Sequence, residues 1–381
     1  MRVIRTICAA VMVITFYGGV NFYIALRSFQ WLNYLVPSIN VIIYIGAYTF
    51  IAISIFLSFL PLPRVIKNVL RRISAYWMGV FIYLPVFLLL ADIVVLLGGI
   101  TKLIHGSIPQ HVHFYKGLVA IVLTAGTICY GVYKATRIKH VSYEIILGEA
   151  SLDCMRVILI SDSHIGSINS FENSLERIVR EINKLNPDIV CIAGDIFTDD
   201  IEAMRSPEKA ISLLKSIKAP HGVFACLGNH DGGHTFEQMT KFLKDSNITL
   251  LNDECVIIDD RLALFGRLDL HPIWGFGGLC RQDISEKIAS VGANMPVVVM
   301  EHDPARIDEY GSEVDLILAG HTHKGQIFPI SLLTRAMFTV DYGHYQKNAD
   351  SPHVIVTSGI STWGPPLRIG TGNEIVSISL L

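Results

Sequence analysis

The residues best suited to chemistry lie in Gly320-His321-Thr322-His323, which closes the apolar run Val314-Asp315-Leu316-Ile317-Leu318-Ala319. Side chains alternate along extended backbone, so imidazoles at i and i+2 are expected to aim toward one side. Neutral imidazole is a natural ligand of divalent metals. A His-x-His pair alone is more often an ordinary surface or core feature. Here four further strand-then-turn segments end in residues of the same kind: Ser161-Asp162-Ser163-His164, Gly194-Asp195, Gly228-Asn229-His230-Asp231 and Glu301-His302-Asp303.

Collected, these segments supply Asp162, His164, Asp195, Asn229, His302, His321 and His323. Carboxylate, amide and imidazole together suit Mn, Fe, Zn or Mg rather than a thiolate site. Seven donors fit two divalent metal ions with one carboxylate shared, and Asp195 is the expected bridge. In α/β sheets such residues converge beyond the carboxyl ends of the strands, however far apart they lie in sequence.

The elements that must position them follow from periodicity. Apolar runs predict strands at 141–147, 155–160, 188–193, 223–227, 255–258, 262–265, 296–300, 314–319, 353–357 and 375–380. Between them, Leu175, Ile178, Val179, Ile182 and Leu185 repeat at helical spacing. A helix is expected after Ser206-Pro207, burying Ala210, Leu213, Leu214 and Ile217. Another is expected after Thr235, where Gln238 would complete a capping box. Asp259-Asp260-Arg261 reads as the turn of a hairpin. About ten strands with helices outside predict a two-sheet α/β sandwich.

With these segments in hand, the chain resembles the calcineurin-like metallophosphoesterases, whose pattern is D-x-H, G-D, G-N-H-D/E, H and G-H-x-H in that order. All five blocks are present across residues 150–381, and Gly359-Ile360-Ser361-Thr362-Trp363-Gly364-Pro365-Pro366-Leu367-Arg368 looks like the membrane-associated bacterial branch. The resemblance implies one metal on Asp162, His164, Asp195 and His323, a second on Asp195, Asn229, His302 and His321, and His230 as the catalytic imidazole. Asn229 and His230 are adjacent, so one can bind metal while the other faces substrate. Asp231 is expected to orient His230 by a hydrogen bond.

The chemistry expected of such a site is hydrolysis. Two metals lower the pKa of a bridging water, so that hydroxide exists near neutral pH and can attack phosphorus in line. A protonated His230 would stabilise the transition state or donate to the leaving oxygen. Arg267 and Arg368 are candidates for gripping phosphate, surface ion pairing being the alternative for each. Lys324 departs from the family pattern, in which Gly often follows the second histidine; it would either favour a more anionic substrate or face solvent.

The remaining residues form a different object. Residues 1–140 carry twelve Lys/Arg and one acid, Asp92, whereas the rest carry nineteen Lys/Arg and thirty-two acids. Four apolar stretches, at 4–26, 38–60, 76–99 and 117–133, predict a transmembrane region over 1–136, with three helices as the alternative and the fourth stretch the marginal one. A juxtamembrane linker with a first strand would then fill 137–152, and the catalytic domain 153–381. With four spans and the N-terminus inside, nine basic residues flank the inner side and three the outer, which predicts a cytoplasmic catalytic domain at a bacterial plasma membrane. Asp92 is either a functional intramembrane acid or one facing the bundle. His105, His111 and His113 read as loop residues before the fourth helix.

Of the seven cysteines, Cys191 and Cys226 lie in strand-like runs and read as buried thiols in a reducing compartment. The acidic soluble part, without a basic run, argues against a nucleic-acid substrate. The expected function is a membrane-anchored phosphodiesterase or pyrophosphatase, with a lipid-linked substrate as one candidate. A phosphomonoesterase and a non-catalytic membrane sensor or scaffold on the same fold are the alternatives.

Overall fold

The computed structural model describes residues 2–101, 109–147, 154–166, 171–198, 201, 204 and 206–381. The chain divides into two compact units, Met1–Val132 and Tyr133–Leu381.

The first unit contains α1 (Arg2–Leu35), α2 (Val41–Leu57), α3 (Arg64–Ile100) and most of α4 (Gln110–Ala135). Among the described residues, three helical segments are long and apolar enough to cross a membrane: Ala10–Leu35, Arg64–Ile100 and His111–Ala135. The second apolar stretch, not the fourth, is therefore the short one. Asn40 caps α2, accepting from the amides of Ile42 and Ile43, and the helix has only 17 residues. At about 1.5 Å per residue it rises about 25 Å, under the roughly 30 Å of a bilayer core. Because α4 starts at Gln110, His111 and His113 are helical rather than in a loop; His105 lies outside the described residues. Asp92 is fully engaged. Arg27 approaches it at 2.9 Å, Lys116 pairs with its other oxygen, and the Tyr23 hydroxyl donates at 3.0 Å. The acid thus ties α1, α3 and α4 together, as ionisable groups inside membrane bundles commonly do.

The second unit runs β1 (Ile138–Ile145), β2 (Met155–Ile160), α5 (Phe171–Lys184), β3 (Ile189–Ala193), α6 (Pro207–Lys215), β4 (Val223–Cys226), α7 (Phe236–Asp245), β5 (Ile248–Leu250), β6 (Glu254–Ile258), β7 (Leu262–Gly266), α8 (Ser285–Gly292), β8 (Val297–Met300), β9 (Leu316–Ala319), α9 (Ile330–Met337), β10 (Gly343–Tyr345), β11 (His353–Val356) and β12 (Asn373–Leu380). Two six-stranded sheets result, ordered β1-β12-β2-β3-β4-β5 and β10-β11-β9-β8-β7-β6. β1, which overlaps the first strand expected within 137–152, is an edge strand paired in parallel with β12.

Alternation along the strands builds the layers. In β2, Val157 and Leu159 enter one core cluster with Leu264 and Met300 of the other sheet, while Ile158 and Ile160 enter another with Leu175, Ile178 and Ile182 of α5. β7 and β8 do the same in mirror image, sending Phe265 and Val299 outward toward Ile288 of α8. Strands buried on both faces read as unbroken apolar runs, which is why they were visible in the sequence. Cys191 and Cys226 are free, buried thiols in the intersheet core.

β5, β10, α8 and α9 were not anticipated; three-residue strands and eight-residue helices carry too little periodicity. The expected capping box is absent. Thr235 makes no side-chain bond to its own helix, and its hydroxyl accepts from the Ile201 amide at 3.4 Å.

Candidate metal centre

All five motifs follow a strand directly: Asp162 and His164 after β2, Asp195 after β3, Asn229 to Asp231 after β4, His302 after β8, and His321 and His323 after β9. Three of these strands belong to one sheet and two to the other, so the ligands meet at a common end of the sandwich.

The backbone at the site is not extended. Asp162, His164, Asp195, His321 and His323 have φ of 55°, 45°, 49°, 68° and 50°. Side chains other than glycine rarely adopt this left-handed region, at a cost on the order of 1–3 kcal/mol each, and do so where surrounding structure over-determines them. The extended geometry expected for His321 and His323 is therefore replaced by a left-handed turn, which sends the two imidazoles into different donor groups. Two glycines leave room for this crowding. A Cβ on Gly194 (φ 77°) would lie 2.5 Å from His302 Nδ1, and one on Gly228 would lie 2.3 Å from Asp195 Oδ1.

The donors form two groups, Asp162-His164-His323 and Asp195-His302-His321, in each of which the ligand atoms lie within 4.8 Å of one another. In the first, His164 Nε2 is 3.2 Å from His323 Nε2, which is 3.3 Å from Asp162 Oδ1. In the second, His302 Nε2 is 3.3 Å from both Asp195 Oδ1 and His321 Nδ1. Asn229 Oδ1 joins this group, 2.9 Å from His321 Nδ1. Asp195 faces both groups, because its Oδ2 is 3.8 Å from His164 Nε2. His302 Nδ1 lies 2.8 Å from the Ala193 carbonyl, which fixes the ring with Nε2 pointing inward.

These residues fit divalent cations. Asp162 and Asp195 are buried, and Asp162 Oδ1 has no hydrogen-bond partner, an orphaned carboxylate oxygen that a bound cation would satisfy. Burial holds the His164 imidazole below its ordinary pKa; burial and the Arg368 guanidinium hold His323 well below. Both are neutral and ready to ligate. At His302 burial works against the charged form, but the Asp195 carboxylate outweighs it and raises the pKa well above the usual value. Asp195 is correspondingly held well below the carboxylate range, its burial outweighed by the charge and hydrogen bond of His302.

His230 sits over this cluster. Its amide donates to Asp195 Oδ1 at 3.0 Å, and its ring lies between His164, 5.3 Å away edge-on, and Trp363, 5.8 Å away. Asp231 does not orient it. The two Asp231 oxygens accept from the Phe197 and Gly228 amides at 2.8 Å each, so this carboxylate stitches the β3 and β4 loops together. Burial, with the charge of Asp195, raises its pKa to about 7.

Neither arginine grips the centre. Arg368 is fully buried beneath it. Its guanidinium donates to the His323 and Ser358 carbonyls at 2.9 and 2.7 Å, to Asn373 Oδ1 at 2.9 Å, and to the Ser361 carbonyl. With its donors consumed by the chain, it shapes the ligand turn instead of meeting phosphate. Arg267 pairs with Asp253 at 3.1 Å, donates to the Gln282 carbonyl, and lines a separate cavity of about 450 Å³ beside Arg281. Lys324 lies over the Tyr342 ring at 3.7 Å, in cation–π contact. Sequence reasoning missed Trp363 as a wall of the site and Asp269 as a buried charge acting on His302. The signal for Trp363 was present, since it lies in the quoted tail motif; nothing local marked Asp269.

Residues 155–325 match the family described as Calcineurin-like phosphoesterase. An "Uncharacterized metallophosphoesterase" of Helicobacter pylori is 34% identical over 233 residues, covering 60% of this chain and 60% of its own. A "Transmembrane protein with metallophosphoesterase domain" of Danio rerio is 29% identical over 284 residues, covering 70% and 63%. Among solved structures, Haemophilus influenzae NAD nucleotidase is similar over 53% of this chain and 44% of its own, with 14% identity and a TM-score of 0.39. The chain thus spans about 60% of the length of the two Helicobacter pylori relatives it matches.

Proposed function

The chain carries a calcineurin-like metallophosphoesterase domain, and from that premise we propose that it is a membrane-anchored hydrolase of phosphodiesters or pyrophosphates working with two divalent metal ions. Asp162, His164, Asp195 and His323 would hold one ion, and Asp195, Asn229, His302 and His321 the other. The observation that carries this reading is Asp195, whose two oxygens face the two histidine groups separately. Ions bound there supply Lewis acidity toward phosphoryl oxygens and bring the pKa of water toward neutrality.

The remaining roles belong to the chain. His230 holds a proton for the departing oxygen, with its backbone pinned to Asp195 and its ring braced by Trp363. Trp363 bounds the leaving-group side and limits water there. With Arg267 and Arg368 both committed elsewhere, neither neutralises the second negative charge of a monoester, which favours the singly charged diester.

With α2, at 17 residues the shortest of the four helices, counted as a further crossing, both ends of the helical region would lie on one side. The basic flanks would then favour the cytoplasmic face of a bacterial plasma membrane for the catalytic unit. A lipid-linked phosphoester is the substrate best matched to that location.

The test is hydrolysis by the full chain, with manganese, of a chromogenic diester beside its matching monoester, with Asp195→Asn as control. Diester cleavage faster by about tenfold or more, and lost in the control, supports the reading. Monoester preference makes the protein a phosphatase. Two bound metals without turnover of either make it a sensor.

A further inference from the structure

α9 departs from the pattern of the helices before it. α5, α6 and α7 each bury an apolar stripe, whereas none of the residues of α9 is buried. Ile330, Leu332, Leu333 and Met337 are exposed by 40, 54, 61 and 75 %, and Phe328 just ahead by 48 %. So many large apolar side chains within ten positions leave water only by meeting another apolar medium.

The helix adjoins the metal centre. The turn carrying His323 packs on its first residues, since a Cβ on Gly325 would lie 2.3 Å from Ser331 Cα. Gln326 exchanges two hydrogen bonds with the Trp363 backbone, at 2.9 and 2.8 Å. The Trp363 side chain is 53 % exposed and faces His230. An apolar rim of Trp363, Phe328 and α9 therefore borders the catalytic imidazole.

Two observations point to what covers this rim. The His323 carbonyl accepts from Arg368, Arg368 donates to Asn373, and Asn373 donates to the Ala135 carbonyl at 2.7 Å. Ala135 ends the long apolar segment of α4, so three hydrogen bonds link the ligand turn to the end of a membrane-crossing helix. Beside the rim, Lys139 and Arg335 are exposed cations near Lys324, while the acids acting on Lys324, Glu374 and Asp341, accept hydrogen bonds from Tyr342 and Thr334. An apolar helix edged with cations is the pattern of helices lying in an anionic membrane interface.

We propose that α9, with Phe328 and Trp363, is a membrane-docking surface that rests among the headgroups of an anionic bilayer and presents the metal centre to a phosphoester carried on a lipid. The docking stands on the surface alone; the substrate class rests on the hydrolase reading above.

The test uses the full chain in nanodiscs of phosphatidylcholine and phosphatidylglycerol containing a diazirine-acyl phosphatidylglycerol, with adducts mapped after photolysis. Adducts are expected on residues 328–338 as well as on α3 and α4. Leu333→Glu with Met337→Glu should lower the former at least about fivefold and leave the latter unchanged. Labelled α3 and α4 with unlabelled 328–338 overturns the proposal. In the same discs, the double variant should cleave a lipid-borne diester about tenfold more slowly and a water-soluble chromogenic diester at the wild-type rate. Equal loss on both substrates would make α9 a structural part of the centre and overturn its docking role. If the wild type cleaves neither, the hydrolase reading fails, while the adduct pattern still decides the docking surface.

Discussion

The two donor groups of the metal centre use the same residue types but differ in electrostatics. In Asp162-His164-His323 the imidazoles are held neutral, by burial at His164 and by burial together with Arg368 at His323. In Asp195-His302-His321 burial is outweighed at His302 by Asp195, with Asp162 and Asp269 behind it, and the pKa of the ring is raised well above its usual value. One group meets its carboxylate with a fixed guanidinium behind the ligand, the other with a proton that a metal must displace. The difference teaches that a shared ligand list does not make two equivalent sites; the residues behind the ligands decide.

The largest way to break this comparison is Asp195→Asn, which removes the carboxylate facing both groups. Metal analysis should show both ions lost, and diester hydrolysis should fall by about 1,000-fold or more. Next is His230→Ala, which should retain both ions and lose about 100- to 10,000-fold in turnover; loss of metal instead would make it a ligand.

A sharper test is pH. A protonated imidazole cannot ligate, so metal and proton compete at His302. Because its pKa is raised, affinity of the second group should fall by up to about tenfold per pH unit on acidification. The first group, already neutral, should respond little. Calorimetric titration of the metal-free chain with Mn²⁺ at several pH values separates the two; parallel behaviour would erase the distinction.

Arg368→Met should orphan buried carbonyls at about 1–3 kcal/mol each, lower the melting temperature by several degrees, and weaken metal binding at the first group more than at the second. The smallest effect belongs to Arg267→Gln, where turnover should stay within about twofold of wild type.

The seven donors of the candidate metal centre were legible because each follows an apolar strand and each is of a ligating type. The direction of a side chain was not. Arg368 stands in a suggestive motif, yet only the packed structure turns it under His323 instead of toward substrate. Asp231 follows a catalytic histidine and was expected to serve it, but two backbone amides claim it first. The left-handed ligand turns leave no periodic trace, and α9 was invisible because its apolar residues do not alternate with a buried face. Stretch length misled at α2, where an asparagine cap shortens the helix inside a longer apolar run.

The sheet order β1-β12-β2 has a consequence in time. Strands consecutive in the chain are separated by one made more than two hundred residues after β2. At about 5–20 residues per second, a ribosome needs on the order of ten seconds or more to travel between them. Throughout that interval Asp162, His164 and Asp195 exist on a nascent chain whose first sheet lacks the strand that joins β1 to β2. Completion of that sheet around the metal centre therefore waits until β12 has been made.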